Sequence, residues 1–488
     1  MIDPFVFMVV EDMEEGKDYG PGGLFPVKLG DVLGPEGSVP RYRISAKLGH
    51  GSYSTVWLAR DLVARRTVAV KIVRASESAT SREAAILKRL RGPASDPPAV
   101  IQLLDSFTLT SVNGIHHTLV TEPVIPLECL LKLPGIQVNT RSLVRQALEG
   151  LAFIHERGIA HGGESPLISN FLSSQPLPDI YPSNIGVVIP DLDSFSEVDI
   201  WDKGGAPTIV PLVTYDAAHD AASFPPYLTH ALDLGELLMS DVPDFTAREP
   251  RVRILDLGCA YFAEETPSPP CHAPLPFMAP EVAFPMMAYD NRDAPWDRRA
   301  DIWAMACTIC QIAGGGILFG RLSAPNLLDA IAALCGGAPA DWTTYLASIS
   351  DKPKAYTPDA ADALWAATVE HLQRWGQTTA EDARALVKLL RRMLVVDPME
   401  RPSASALLQD PYFDLAPDDH APDKNPRVSI VVGEAEPAST STLKAANSTA
   451  WIEKAEENVL SSEFMRETIA AAKANVLGRL GEGTHATQ

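Results

Sequence analysis

The feature that most constrains the fold is one change of hydrophobic period near residue 125. From Arg41 to about Leu104 apolar and polar residues alternate in short runs, "YRISAKLGHG", "STVWLARD" and "TVAVKIVR", with turn signals between them. One helical segment, "SREAAILKRL", interrupts them, and "HHTLVTEPV" holds a further strand that stops near Pro123. Beyond it the apolar residues recur at helical spacing in "TRSLVRQALEGLAFIHERG", "RADIWAMACTICQIAGG" and "AEDARALVKLLRRMLVVD". A β-rich half and a helix-rich half joined by one short segment predict an α+β chain of two lobes with a cleft between them.

Composition narrows the partners. Of 488 residues 46% are hydrophobic, enough for a large core, and the formal net charge is -21. That charge disfavours nucleic acid or an anionic membrane as the main partner and permits basic protein substrates. Six scattered cysteines fit a reducing compartment rather than a disulfide scaffold. Cys307 and Cys310 lie in an apolar run with no second pair nearby, so they read as core residues. The early "FVFMVV" is followed at once by acids and does not read as a secretory leader, and no apolar run reaches the ~20 residues of a membrane helix. A cytoplasmic or nuclear location is expected. Composition is silent on oligomeric state.

The chain divides into an extended lead-in at 1–41, a β-rich lobe at 42–124, a helical lobe at 125–415 and a tail at 416–488. The helical lobe carries a Pro-rich spacer at 187–252 with little periodicity. The tail is polar and expected to be disordered or partly helical. Within it, one amphipathic helix at about 449–480 places Trp451, Ala455, Val459, Phe464, Ile469 and Val476 near one face. That face reads as a surface for docking on its own domain or on another copy.

Several residues carry chemistry. "LGHGSYSTVW" sets Gly49, Gly51 and Ser54 in a strand-turn-strand setting followed by Val56. Glycines there let backbone N–H groups approach phosphate oxygens, as in a flap over a nucleotide. Lys71, in "VAVK", follows on a strand and is placed to hold α- and β-phosphates. Val56 and Ala69 are small, as an adenine ring requires, and Glu83 on the next helix is a candidate partner for Lys71. Asp256 in "RILDLGCA" ends a strand-like run, a setting suited to Mg2+ against phosphates. Glu281 in "PFMAPEV" and Arg401 in "DPMERPSA" form a candidate buried pair, and Asp301 stands at a helix start, where it can accept backbone N–H groups of a loop.

In order and spacing this set resembles the eukaryotic protein kinases, over Tyr42 to Phe413. The lead-in and the long spacer look more particularly like the SR-protein-kinase family in its fungal branch. The resemblance implies a bilobal protein-kinase fold, ATP and Mg2+ as cofactors, and protein substrates, splicing-factor-like basic proteins among them. Lys71 would hold ATP phosphates, Glu83 would orient Lys71, and Asp179 would take or orient the proton of a Ser/Thr hydroxyl. Asn184 and Asp256 would bind the metal. Leu48, Gly49, Gly51, Ser54, Val56 and Ala69 would surround the nucleotide, and Glu122 and Val124, just past Thr121, would meet adenine with backbone groups. Leu87, Leu103, Leu257 and His161 would stack as an apolar spine anchored by Asp301.

The chain departs from the pattern in four ways. Asp179 stands eighteen residues after His161 instead of two, because Gly163 to Pro178 intervene. Deleting that insert leaves "IAHGDIYPSNIGV", an intact catalytic loop. The codons of Gly163-Glu164-Ser165 can contain an intron donor and those of Pro178-Asp179 an acceptor, and removal of sixteen codons keeps the frame, so a retained intron or a gene-model error is expected over a real insertion. Tyr181 replaces the usual Lys, which leaves the acceptor class open. Gly162 replaces an Arg that normally pairs with a phosphorylated activation loop, so no such switch is expected and Thr266 and Ser268 are poor candidates for one. The segment matching the family's acidic substrate groove offers little beyond Asp329 and Asp341, with Asp290, Asp293 and Asp297 nearby. The alternative reading is a pseudokinase, a nucleotide-binding scaffold whose catalytic loop the insert interrupts.

Overall fold

The computed structural model describes residues 5–6, 13–93, 98–133, 138–162, 184–214, 220–232, 234–241, 249–265, 273–291, 294–320, 324–349, 356–376 and 378–415. The first lobe is a six-stranded antiparallel sheet. Its strands are β1 (Val32–Leu33), β2 (Tyr42–His50), β3 (Ser54–Asp61), β4 (Arg66–Val73), β5 (Leu103–Ser111) and β6 (Gly114–Thr121), in the order β1-β2-β3-β4-β6-β5. The period of two divides β4 between two cores. Val68, Val70 and Ile72 join Tyr42, Ile44 and Trp57 on one side. Ala69 and Lys71 take the other, where the short helix α1 (Glu83–Arg89) buries Ile86 and Leu87.

The lead-in is part of this lobe. Its strand β1 pairs with β2, and Val27, Leu29 and Leu33 lie in the core of the outer face. Lys47 of β2 is wholly buried and forms an ion pair with Glu14, whose other oxygen accepts the Tyr19 hydroxyl at 2.9 Å.

After β7 (Val124–Pro126) the helical half holds a short helix at Leu127–Lys132 and then α2 (Thr140–Glu156). The Asn139 side chain caps α2 by accepting the Ser142 N–H at 3.1 Å. Its stripe Leu143, Val144, Ala147, Leu148, Leu151 and Ile154 enters the main core. Next come β8 (Ile159–Ala160) and β9 (Ile185–Val188).

The described parts of the spacer are folded, although its sequence shows little period. It contributes α3 (Glu197–Gly204), β10 (Ile209–Pro211), β11 (Tyr227–Thr229) and α4 (Leu234–Asp241). Each is too short to display a period of its own; α3 and β11 bond to the β-rich lobe and lead-in, and α4 buries Leu234, Leu237 and Leu238 in the main core. Glu197 pairs with Arg43 at 2.8 Å, Trp201 donates to the Ser45 carbonyl at 3.1 Å, and the Tyr227 hydroxyl accepts the Leu29 N–H at 2.9 Å. Asn113 donates both to Leu24 (2.8 Å) and to Ser223 (2.6 Å), joining lead-in and spacer.

Strand β12 (Val252–Ile254) completes a three-stranded sheet in the order β12-β9-β7, and β13 (Tyr261–Phe262) pairs with β8. Further helices are α5 (Pro280–Tyr289), α6 (Arg298–Cys310), α7 (Ala324–Cys335), α8 (Ala340–Ile349), α9 (Pro358–Trp375) and α10 (Ala380–Met393). Helix α6 is buried on most sides and organises the lobe, with Trp303 stacked on Phe319 at 5.7 Å. Cys307 and Cys310 sit inside it as apolar core residues, and burial pushes the Cys310 thiol up to about 12. The amphipathic stretch containing Trp451, Ala455, Val459, Phe464, Ile469 and Val476 lies outside the described residues.

Candidate active site

The cleft face of β4 presents Lys71 between two carboxylates. Its Nζ lies 2.9 Å from both oxygens of Glu83 and 3.1 Å from Oδ1 of Asp256. Glu83 is the first residue of α1 and is 5% exposed, so the helix can pack only with its charge answered. Burial alone would lower the Lys71 ammonium, but Asp256 and Glu83 outweigh it and hold the pKa far above its ordinary value. Burial and the nearby Asp256 push the Glu83 carboxyl up, while Lys71 and a hydrogen bond from the Leu257 N–H oppose them. Asp256 has a φ of +54°, uncommon for a residue with a side chain.

These three residues carry two negative charges and one positive. The excess suits a divalent cation, and carboxylate and amide oxygens are the hard donors Mg2+ takes. Asn184 lies beside the strand leading to Asp256, its carbonyl accepting the Leu255 N–H at 2.8 Å. The chemistry of this donor set therefore fits Mg2+.

The flap forms the end of β2 and the start of β3. Gly49 faces Val56 in the ladder, and the Gly51 N–H donates to the Ser54 carbonyl at 2.9 Å. A Cβ built on Gly49 would meet no heavy atom within 4 Å among the described residues, so that position is open. Leu48 packs partly buried against the main core. Val56 pairs with Lys71, and Ala69 with Thr121, where the chain leaves β6 for the hinge. Val124 follows in β7, opposite Val188.

The hinge also carries a contact that no local pattern marks. Glu122 Oε1 accepts from Arg253 Nε at 2.8 Å and from the Gln102 N–H at 3.3 Å. Arg253, 3% exposed, sits on the strand leading to Asp256, so the hinge and that strand are tied by charge. The only sequence signal is an arginine inside the apolar run "VRIL".

Asp301 organises the start of the catalytic loop. Its Oδ2 accepts the His161 N–H at 2.8 Å and His155 Nε2 at 2.9 Å, and its Oδ1 accepts the Gly162 N–H at 3.0 Å. Burial would push its carboxyl up, but the hydrogen bond and charge of His155, aided by His161, hold it below the usual range. His161 donates through Nε2 to the Leu255 carbonyl at 2.9 Å. Leu87, Leu103 and Leu257 are buried in the main core. Asp179, Tyr181 and the insert lie outside the described residues.

Arg401 joins distant segments. Nη1 and Nη2 donate to the two oxygens of Glu281 at 2.8 and 2.7 Å. Several acids considered for a substrate groove have local duties. Asp297 caps α6 and pairs with Arg299, Asp329 accepts the Tyr356 hydroxyl at 2.7 Å, and Asp341 accepts the Trp342 N–H at 3.0 Å. Asp293, Thr266 and Ser268 lie outside the described residues.

Residues 42–162 and 241–413 match the protein kinase domain. The chain belongs to the protein kinase family. The match passes over 163–240, which holds the insert and most of the spacer. Serine/threonine-protein kinase spk-1 of Caenorhabditis elegans is 40% identical over 171 residues, covering 32% of this chain and 16% of that protein. Human SRSF protein kinase 3 is 34% identical over 212 residues, covering 40% of this chain and 34% of that protein. The chain thus spans about a third or less of the length of these two relatives. A serine/threonine protein kinase of Aspergillus fumigatus is 25% identical over 432 residues, covering 84% of this kinase and 93% of that protein.

Proposed function

We propose that the chain is a protein serine/threonine kinase that transfers the γ-phosphate of ATP to basic, Arg-Ser-rich segments of proteins. The observation that carries this reading is Lys71 held between Glu83 and Asp256 at the mouth of the cleft. Lys71 keeps its charge and is aimed by Glu83, so it can bind the α- and β-phosphates without reorganising. Glu122 and Val124 supply backbone groups for the adenine edge, between the small side chains of Val56 and Ala69. Asn184 and Asp256 are the donors that would hold Mg2+, whose charge offsets that of the phosphate oxygens. Asp179 is the base that orients the acceptor hydroxyl. The substrate class is supported by the likeness to human SRSF protein kinase 3 and by the net charge of -21.

A second reading, a nucleotide-binding scaffold, is favoured by one observation, the sixteen residues between Gly162 and Asp179. Placement of a base within a fraction of an ångström matters to catalysis. The test uses the chain as written and the chain lacking Gly163 to Pro178, each with and without Asp179→Ala. Labelled ATP and an Arg-Ser-repeat peptide are the substrates. We expect transfer by the shorter chain and its loss with Asp179→Ala. Equal counts with and without Asp179 in both chains would refute the kinase reading and leave the scaffold. A transcript shorter by the sixteen codons would show which chain the cell makes.

A further inference from the structure

Gly162 stands where the resembling kinases carry an arginine, and the structure shows what fills the space. A Cβ built on Gly162 would lie 2.7 Å from Cη2 of Trp296 and 2.9 Å from the Cys259 carbonyl oxygen. The residue also has a φ of +79°, a conformation that favours glycine. No side chain fits there, because an indole already does. Trp296 is 5% exposed and meets the Tyr261 ring edge-on, with centroids 4.9 Å apart. The Tyr261 hydroxyl donates to the Trp296 carbonyl at 2.6 Å, while the Tyr261 backbone pairs with Ala160 in the β8–β13 ladder.

Trp296 immediately precedes Asp297, the cap of α6, and Asp301 lies in the first turns of the same helix. One helix end therefore reaches Gly162 twice. Asp301 holds its N–H, and Trp296 covers its Cα side. Tyr261 locks the indole from the segment that follows Asp256. We propose that Trp296, backed by Tyr261, is a positioning residue that fixes the backbone of Gly162, where the catalytic loop begins. This rests on the kinase reading above. An arginine at this position answers a phosphate with charge, whereas an indole packed on a glycine is set by shape alone.

The test measures two quantities on the chain that transfers phosphate. Trp296→Ala should lower kcat on the order of tenfold to a hundredfold with KM for ATP little changed, because Lys71 and its partners are not touched. Trp296→Phe should recover most of kcat. Hydrogen exchange of the peptide containing His161 and Gly162 should quicken about tenfold in Trp296→Ala. Should Trp296→Ala not fold, Tyr261→Phe removes only the hydroxyl and should produce smaller changes of the same kind. Unchanged exchange and kcat would overturn the proposal. So would equal loss of kcat and of ATP affinity with no recovery by phenylalanine, which is the mark of general destabilisation. If the parent transfers no phosphate but exchange still quickens in Trp296→Ala, the kinase reading fails and the packing role stands.

Discussion

Replacing Arg401 with methionine tests the tie between the first turn of α5 and the end of the helical lobe. The guanidinium is fully enclosed and makes five contacts. Two go to Glu281, and three go to the carbonyls of Arg299 (2.9 Å), Val395 (2.8 Å) and Val396 (3.2 Å). Methionine keeps most of the apolar stem and removes every donor. Breaking one side of a buried ion pair costs about 3–5 kcal/mol, because the partner charge is left unanswered. The Glu281 side chain is 16% exposed, and water can relieve part of that, so we expect about 3 kcal/mol. Glu281→Gln alone should cost slightly less. The double variant should cost about the same as Arg401→Met, which gives a coupling near 2 kcal/mol. Urea melts followed by tryptophan emission measure this. Arg401 lies over the Trp303 ring at 5.3 Å, so the probe is adjacent to the change. With a slope near 3 kcal/mol per molar urea, the single variant should lose about 1 M in midpoint. A loss below about 1 kcal/mol, or strictly additive single variants, would refute the argument that this pair holds the two segments together.

Lys71→Met should cut peptide phosphorylation by about a hundredfold or more while the circular dichroism spectrum is kept, since the cation that meets the phosphates is gone and the sheet is not. Lys47→Met should lower stability by about 3–5 kcal/mol in thermal or urea melts. The further change Glu14→Leu should restore most of it, because both members of the pair are buried. For Asp301 the folded carboxyl is depressed, so its contribution is full above the ordinary Asp range and is lost as pH falls through the lower folded value. The stability gap between the parent and Asp301→Asn should therefore be level from pH 7 to about 5 and shrink below about pH 4. A gap that widened on acidification would reverse the assigned sign.

What was legible in the chain and what was not differ by physical origin. The change of period near residue 125 appears as the boundary between sheet and helices, because a buried face imposes its spacing on every residue of an element. Lys71, Glu83 and Asp256 could be proposed together because their chemistry requires those residue types at strand and helix positions. The structure brings them within 3.1 Å of one another's charges through Lys71. Period reports that a face is covered but not by what. Lys47 occupies a polar position in an alternating strand, which reads as solvent-facing, yet Glu14, 33 residues earlier, and the spacer enclose it. Glu122 and Arg253 are 131 residues apart, and neither has a neighbour that calls for the other. The lead-in and spacer have elements too short for a period, and their apolar residues Tyr19, Leu24, Leu212 and Leu228 form a small cluster with Met13 and Phe224 packed against it. Gly162 makes the same point within the site. An absent arginine is visible as a letter, but the indole that occupies its space belongs to another segment and is recognised by shape. Charges in a site recur as residue types and can be found by spacing. Packing that aims those charges is interchangeable among apolar residues, so it leaves no comparable trace in the chain.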